Sequence, residues 1–333
     1  MSNGDRSLVT DAEIERVVRL YRQMLPRFEE AARHVESQLR RELRSMAVRG
    51  LLSSRAKHPQ DVADKIRRKR ERGDPRYTFA RLGDDLNEVI TDLAGARVVV
   101  YHPKDEERVF ETIRRSFAIA DVENAVEVKL ADTYRARHVL VAIDESAERE
   151  SLRGTYVEVQ ISSISSHVFN ELEHDIAYKD KGVTPTDKVR ECLEQVLHAS
   201  RLLDRAVEHL LEARHESVVS AGRLLENAED LRYALEQHAG RWLSGDFEQL
   251  FRLLRPVVDN LTATNLIALF SDIPALLDEG ARRARATGGD FDHVACLALS
   301  IIDQFGTDFE DVVASWEPTS ALKRAIMEFK TDA

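Results

Sequence analysis

Thr155-Tyr-Val-Glu-Val-Gln-Ile161 alternates apolar and polar side chains with a period of two. That period predicts a β-strand, because successive side chains of a strand point to opposite faces. Val157, Val159 and Ile161 then face a core, and Glu158 and Gln160 face a cleft. Two further stretches carry the same β-branched signal: Ala96-Arg-Val-Val-Val-Tyr101 and His138-Val-Leu-Val-Ala-Ile143. Between the first and second of these, residues 106–117 read as an amphipathic helix. The middle of the chain, about residues 50–180, is therefore expected to mix strands and helices around one sheet.

Both flanks change period. Residues 10–50 read as helix: Thr10 and Glu13 form a capping-box pair, and Ile14, Val17, Val18 and Leu20 follow at helical spacing. Pro26 within the run predicts a kink or a division into two helices. Residues 59–72 read as a second helix, with Pro59 in its first turn and Gly73 after its end. After Thr186 no strand signal is found. Leu193, Val196, Leu197, Leu203, Val207 and Leu210 support a long helix. Further helices are expected over 218–238, 246–258, 262–286, 291–304 and 307–330, with breaks at Gly240, Gly245, Pro256, Gly288-Gly289 and Gly306. The expected division is N-terminal helices over 1–50, an α/β domain over 51–215 and a helical region over 216–333.

With 43% hydrophobic and 32% charged residues in 333, the chain can bury a core and keep a wet surface, which excludes a disordered or low-complexity protein. No run of eighteen apolar residues is present, so no membrane-spanning helix is expected, and the polar N-terminus has no signal-peptide core. Cys192 and Cys296 give neither a disulfide framework nor zinc-ligand spacing, in keeping with a reducing cytoplasm. The net charge of -11 is unevenly placed: residues 187–333 hold 16 basic and 26 acidic side chains, a local -10, leaving -1 for the rest. Residues 51–72 nonetheless hold eight basic side chains against three acidic ones. A basic patch in an acidic chain is either a solvated helix face or a phosphate site. The overall charge argues against bulk coating of nucleic acid.

Four groups of residues carry candidate chemistry. They are Ser54-Arg-Ala-Lys57 with Lys65 and Arg67 to Arg70; Thr91-Asp-Leu-Ala-Gly-Ala-Arg97; Thr133-Tyr-Arg-Ala-Arg-His138; and Glu158 and Gln160 followed by Glu171, Glu173, His174, Tyr178 and Lys179. Several cations, two carboxylates and a base suit phosphoryl-type transfer, which is mostly positioning and charge neutralisation. Magnesium takes one or two carboxylates plus substrate phosphates, and Asp92 and Glu158 can converge across a sheet for that purpose. On a helix, Glu171, His174 and Tyr178 share one stripe. Taken singly, each residue has a plainer role: Asp92 as a turn or cap, Glu158 as a salt-bridging sheet residue, Tyr134 as packing, His138 as a satisfied interior histidine. His174-Asp175 lacks the further ligands a metal phosphohydrolase needs, and no P-loop or Gly-x-Gly-x-x-Gly is present.

The order of these groups over about 130 residues resembles the synthetase domain of the RelA/SpoT family of alarmone synthetases. SRAK, DLAGARV, TYRARH, VEVQISS and ELEHDIAYK stand in the family's sequence of motifs, and the resemblance covers about residues 20–210. It implies an α+β fold: a mixed β-sheet, nucleotidyltransferase-like core flanked by helices, here followed by an all-α C-terminal region. It also implies diphosphate transfer from ATP to the 3′-hydroxyl of GTP or GDP. By that resemblance Arg55, Lys57 and Lys65 hold the ATP phosphates, with Arg68 or a neighbour near the adenine. Asp92 and Glu158 are the catalytic acids and the magnesium ligands. Lys129, Tyr134, Arg135, His138, Gln160 and His174 contact the acceptor, Lys129 standing one residue out of the family spacing.

Several positions depart from the family pattern. Thr133 replaces a glycine, Ala136 a serine, Ser162-Ser163 an Arg-Thr pair, and Phe169 a tryptophan. The altered acceptor motif leaves three readings open: a guanosine nucleotide acceptor, the 3′ end of tRNA as in toxin members of the family, or a nucleotide-binding module without turnover. Small members are often homo-oligomers, and the same is expected here. About fifty residues precede Arg55, so a synthetase-only form without the hydrolase domain of the long members is expected.

Overall fold

The computed structural model describes residues 9–122, 125–131, 134–144, 149–178, 186–220, 222–256, 258–287 and 292–305. Two compact units divide the chain. The first comprises 1–40 and 50–206, the second 41–49 and 207–333.

The first unit is built on five strands, β1 (Gly50–Ala56), β2 (Ala94–Val100), β3 (Val126–Ala131), β4 (Tyr134–Ala142) and β5 (Tyr156–Ser163), in the order β1-β2-β5-β4-β3. Only β2 and β5 are parallel; the other neighbours are antiparallel. The sheet is thus mixed, as the resemblance implies. The three strands expected from their pattern are β2, β4 and β5. β1 and β3 were not expected: Gly50–Ala56 holds Gly, Ser and Arg, and Val126–Ala131 holds Glu and Lys, so neither is an apolar run. Both are the outer strands of the sheet, where such composition is tolerated.

Register sorts the sheet into two faces. The row Ser54–Ala96–Val159–Val139–Val126 crosses all five strands, and Val157, Val159 and Ile161 are fully buried. The next row, Ser53–Arg97–Gln160–His138–Glu127, is polar from edge to edge. Beside it runs Arg55–Gly95–Glu158–Leu140. The alternation at residues 155–161 therefore holds, and the cleft face gathers polar side chains from every strand.

Helix α1 (Asp11–Ser45) starts from the Thr10–Glu13 capping box and runs without interruption through Pro26, so the expected division does not occur. One missing amide bond at Pro26 is outweighed by the buried stripe Ile14, Val17, Tyr21, Phe28, Ala31, Ala32, Val35 and Leu39. α1 is tied to the sheet by Glu36, which accepts from Ser54 at 2.6 Å, and by Arg27, which donates to Thr155 at 2.9 Å. Helix α2 (Pro59–Glu71) carries the basic run, capped by His58. Short helices α3 (Phe79–Asp84) and α4 (Leu86–Val89) lead into β2, and α5 (Asp105–Ser116) is the expected helix between strands. On the apolar face Arg137 lies over the Phe110 ring of α5, 5.0 Å from its centroid, and pairs with Glu107.

Helix α6 (Ile164–Glu173) begins at Ser163, whose hydroxyl accepts from the Ser166 amide. Ser163 and Ser165 both donate to the Asp204 carboxylate on α7 (Asp187–Ser220), the first at 3.1 Å. The Ser162-Ser163 departure from the family pattern thus supplies a helix cap and a buried anchor. α6 does not continue as an α-helix: His174–Tyr178 form a π-helical turn. The α-helical phase on which the stripe of Glu171, His174 and Tyr178 rests therefore stops at His174, because a π turn takes more than 3.6 residues, and the side chain of Tyr178 lies outside the described residues.

The second unit contains the end of α7 and helices α8 (Ala228–Ala239), α9 (Phe247–Leu254), α10 (Ala263–Leu269), α11 (Ile273–Thr287) and α12 (His293–Phe305). The helix expected over 262–286 is two helices, parted where Phe270 ends α10. The expected helix 307–330, with Trp316, lies outside the described residues. Among the described residues the second unit has no sheet, only an isolated bridge between Leu224 and Thr262. Its core is Leu231, Leu235, Leu243, Phe247, Leu250, Leu254, Leu266, Phe270 and Leu297, all buried. α11 and α12 touch at Gly280, where a Cβ would stand 2.4 Å from the Cys296 Cβ, so only glycine permits the approach.

Candidate active site

β1 and β2 end together. Their ladder closes at Ala56↔Ala94, and one further bond runs from the Lys57 amide to the Leu93 carbonyl at 2.8 Å. The chain beyond Lys57 enters α2, and the chain before Leu93 carries Asp92. The strand ends therefore bring Lys57 to Asp92, and the first turns of α2 bring Lys65 to it as well. Lys57 Nζ donates to Asp92 Oδ2 at 2.7 Å and Lys65 Nζ to Oδ1 at 2.8 Å. Burial alone would push the Asp92 carboxyl up; the Lys65 and Lys57 ammoniums override it and hold the pKa at about 2. Asp92 is an anion in any ordinary buffer.

The second carboxylate sits in mid-sheet. Glu158 Oε1 lies 3.1 Å from His138 Nδ1 on β4, and Glu158 Oε2 accepts from the Gln160 amide at 2.7 Å. Burial works to raise its pKa and so does the charge of Asp92, yet the imidazole beside it, helped by Gln160, brings it below the usual carboxylate value.

A cavity of about 150 Å³ opens over this face. Lys65, His138 and Glu158 line it, together with Lys69, Arg76, Tyr77 and Glu127. Asp74 organises the loop after α2: it pairs with Arg76 at 3.0 Å and with Lys69 at 3.3 Å, and these partners hold its carboxyl well below the usual range. Lys69 stands 5.8 Å from the Tyr77 ring centroid. Burial, with the Asp92 charge, pushes the Tyr77 phenol up to about 12. Arg76, Tyr77 and Glu127 were not expected from the sequence. Tyr77 lies in a loop with no periodic signal, and Glu127 reaches the site only through its pairing with His138 across β3 and β4.

The other expected residues are distributed as follows. Arg55 is exposed at the end of β1, in register with Gly95 and through it with Glu158. Arg68 is exposed on α2 and donates to the Asp64 carbonyl. Arg97 pairs with Glu171 of α6 at 2.7 Å. His174 is exposed in the π turn, 3.7 Å from Asp175, and is not brought to the cavity wall. Lys129 pairs in register with Ala136, Leu130 with Arg135 and Ala131 with Tyr134, at the end of the β3–β4 hairpin. The side chains of Lys129, Tyr134, Arg135 and Tyr178, and residues 133 and 179 altogether, lie outside the described residues.

Among the described residues no three His, Cys, Asp or Glu side chains stand together as metal ligands. Nor is any described helix long and apolar enough to cross a membrane.

Comparison with known proteins agrees with the motif order. Residues 54–183 match the family described as the region found in RelA / SpoT proteins. GTP pyrophosphokinase YjbM of Bacillus subtilis (strain 168) is 28% identical over 134 residues, a match that covers 39% of this chain and 60% of that relative. Among solved structures, small alarmone synthetase 1 from Bacillus subtilis aligns with a TM-score of 0.48 at 21% identity, over 59% of this chain and 98% of that one. A GTP pyrophosphokinase family protein from Streptococcus pneumoniae aligns at 0.46 and 20%, over 59% of this chain and 95% of that one. The ordered motifs and the family match fall on one stretch, residues 54–183, which is similar to the region found in RelA / SpoT proteins.

Proposed function

We propose that the first unit transfers the diphosphate of ATP to the 3′-hydroxyl of GTP or GDP and so makes (p)ppGpp. The observation that carries this reading is Glu158: an ionised carboxylate, held by His138 and Gln160, on the wall of a cavity that also presents Lys65, Lys69 and Arg76. A carboxylate base beside several cations is what such a transfer requires. The name of the curated relative, a GTP pyrophosphokinase, supports the guanosine acceptor.

In this reading the acceptor 3′-oxygen attacks the β-phosphorus of ATP. The O3′–Pβ bond forms, the bond from Pβ to the bridging oxygen breaks, and AMP leaves. Glu158 takes the hydroxyl proton, and His138 with Gln160 keeps that carboxylate ionised and aimed. Arg55, Lys57 and Lys65 hold the phosphates of ATP, with Arg68 toward the adenine. Lys129, Tyr134, Arg135 and His174 belong to the acceptor side.

The donor set fits magnesium. Asp92 and Glu158 are hard oxygen donors, both ionised, and the Lys57 and Lys65 ammoniums that sit on the two Asp92 oxygens would have to give way to the ion and turn to the phosphates. Two carboxylates without a third ligand suit an ion that arrives with its phosphates. When bound, magnesium screens phosphate charge and orients the diphosphate. The cysteine usage supports a cytoplasmic setting, and assembly with further copies follows the habit of small members.

The test is a product assay with ATP labelled at its β-phosphate and magnesium, offering GTP, GDP and deacylated tRNA separately. Label on guanosine nucleotide, lost in Glu158→Gln, is the expected result. Label on tRNA would move the protein to the toxin branch, and no label on any acceptor would overturn the transferase reading.

A further inference from the structure

Tyr21 lies on α1, outside the stretch that matches the RelA/SpoT region, and its side chain is fully buried. Its hydroxyl donates to the Lys57 carbonyl at 2.6 Å and lies 3.5 Å from the Leu93 carbonyl. Residues 57 and 93 form the last rung that joins β1 to β2, through the bond from the Lys57 amide to the Leu93 carbonyl. Beyond it the ladder stops, because the chain turns at His58 and Pro59 into α2. The Lys57 carbonyl is thereby left without a partner from the sheet, and Tyr21 provides one. The phenol has one proton, which it gives to the Lys57 carbonyl, and its oxygen stands over the Leu93 carbonyl at 3.5 Å. Burial, with the Asp92 charge, keeps the phenol protonated and therefore a donor.

We infer that Tyr21 is a positioning residue for the Asp92 site. Its hydroxyl fixes the backbone of residue 57 against that of residue 93, and so sets where the Lys57 ammonium stands relative to the Asp92 carboxylate. The inference rests on the proposed transferase reading for its consequence, the binding of ATP phosphates, and on geometry alone for the lock itself.

The test uses the full chain and two variants on the same helix. Tyr21→Phe removes the hydroxyl and keeps the ring. Phe28→Leu reduces a buried ring whose centroid is 5.6 Å from that of Tyr21, and reports ordinary loss of packing. Amide hydrogen exchange at Lys57, compared with amides of the β2–β5 ladder, is read first. Affinity for a non-hydrolysable ATP analogue with magnesium is read second. Tyr21→Phe is expected to speed exchange at Lys57 selectively and to weaken the analogue by about tenfold, the scale of one buried hydrogen bond. Phe28→Leu is expected to lower the melting temperature while leaving both readings near wild type. Unchanged exchange at Lys57 in folded Tyr21→Phe would overturn the lock. Selective exchange with unchanged affinity, or an equal loss of affinity in Phe28→Leu, would overturn the positioning role. A wild-type chain that binds no ATP analogue would strike the transferase reading instead, with the exchange result still deciding the lock.

Discussion

The Lys57 ammonium and the Asp92 carboxylate meet at 2.7 Å although 35 positions separate them in the chain. The pair exists because β1 and β2 are antiparallel and end on the same rung. Lys65 takes the other oxygen, so one half-buried anion is held by two cations from α2 and the turn before it.

This arrangement has a pH signature. The folded pKa of Asp92 is about 2, below the ordinary value of an unfolded aspartate, so its contribution to stability is fully present above about pH 4. That contribution, about 2 kcal/mol, is lost as pH falls through the folded pKa. Urea unfolding of wild type and Asp92→Asn at pH 6 and pH 3 should show the two proteins converging at the lower pH. Parallel behaviour across the range would contradict the double clamp.

Lys57→Met and Lys65→Met each leave the carboxylate with one cation. Each substitution is expected to raise KM for ATP at least about tenfold and to lower stability by about 1–3 kcal/mol. The double variant should deviate from additivity, because both cations act on the same anion. Strict additivity in a double-mutant cycle would show that the two lysines act apart.

His138→Ala removes the group that brings Glu158 below the usual carboxylate value against burial and the Asp92 charge. The Glu158 pKa then rises. Since the proposed base must be ionised, the acid limb of the kcat/KM profile should move to higher pH. A profile displaced to lower pH, or a variant with wild-type rate throughout, would remove Glu158 from the role of base.

In the helical unit, Gly280→Ala places a methyl group 2.4 Å from the Cys296 Cβ and 2.9 Å from its Cα. Helices α11 and α12 must separate, at about 1–3 kcal/mol. Thermal unfolding should show the loss, and Cys296→Ala should not restore it, because the Cα and Cβ of residue 296 remain. Full rescue by that second change would mean that the sulfur alone sets the spacing.

Much of the first unit was legible because local patterns carry it. The alternation at 155–161 predicted which side of β5 carries Glu158, and the capping box at Thr10 and Glu13 predicted where α1 starts. The same local reasoning missed β1 and β3, whose side chains carry no apolar alternation, and it extended an α-helical stripe through His174 where the helix becomes a π turn. Of its two readings of Pro26, a kink or a division, the division does not occur, because the buried face of α1 outweighs one lost bond. Of the cavity wall, Lys69 lay inside a visible basic run, but Arg76, Tyr77 and Glu127 carried no signal of their own.

The amino-acid order alone determined the run of motifs over residues 54–183, the polarity of each face of β5, and which residue types are available for phosphate chemistry. These follow from spacing along the chain, which periodicity reads directly. Only the tertiary structure decided that Lys57, Lys65 and Asp92 share one contact, that Glu158 stands against His138, and that Tyr21 reaches the end of the β1–β2 ladder. Those relations depend on strand order and register, and these are set by pairings among segments far apart in sequence, which no local pattern encodes.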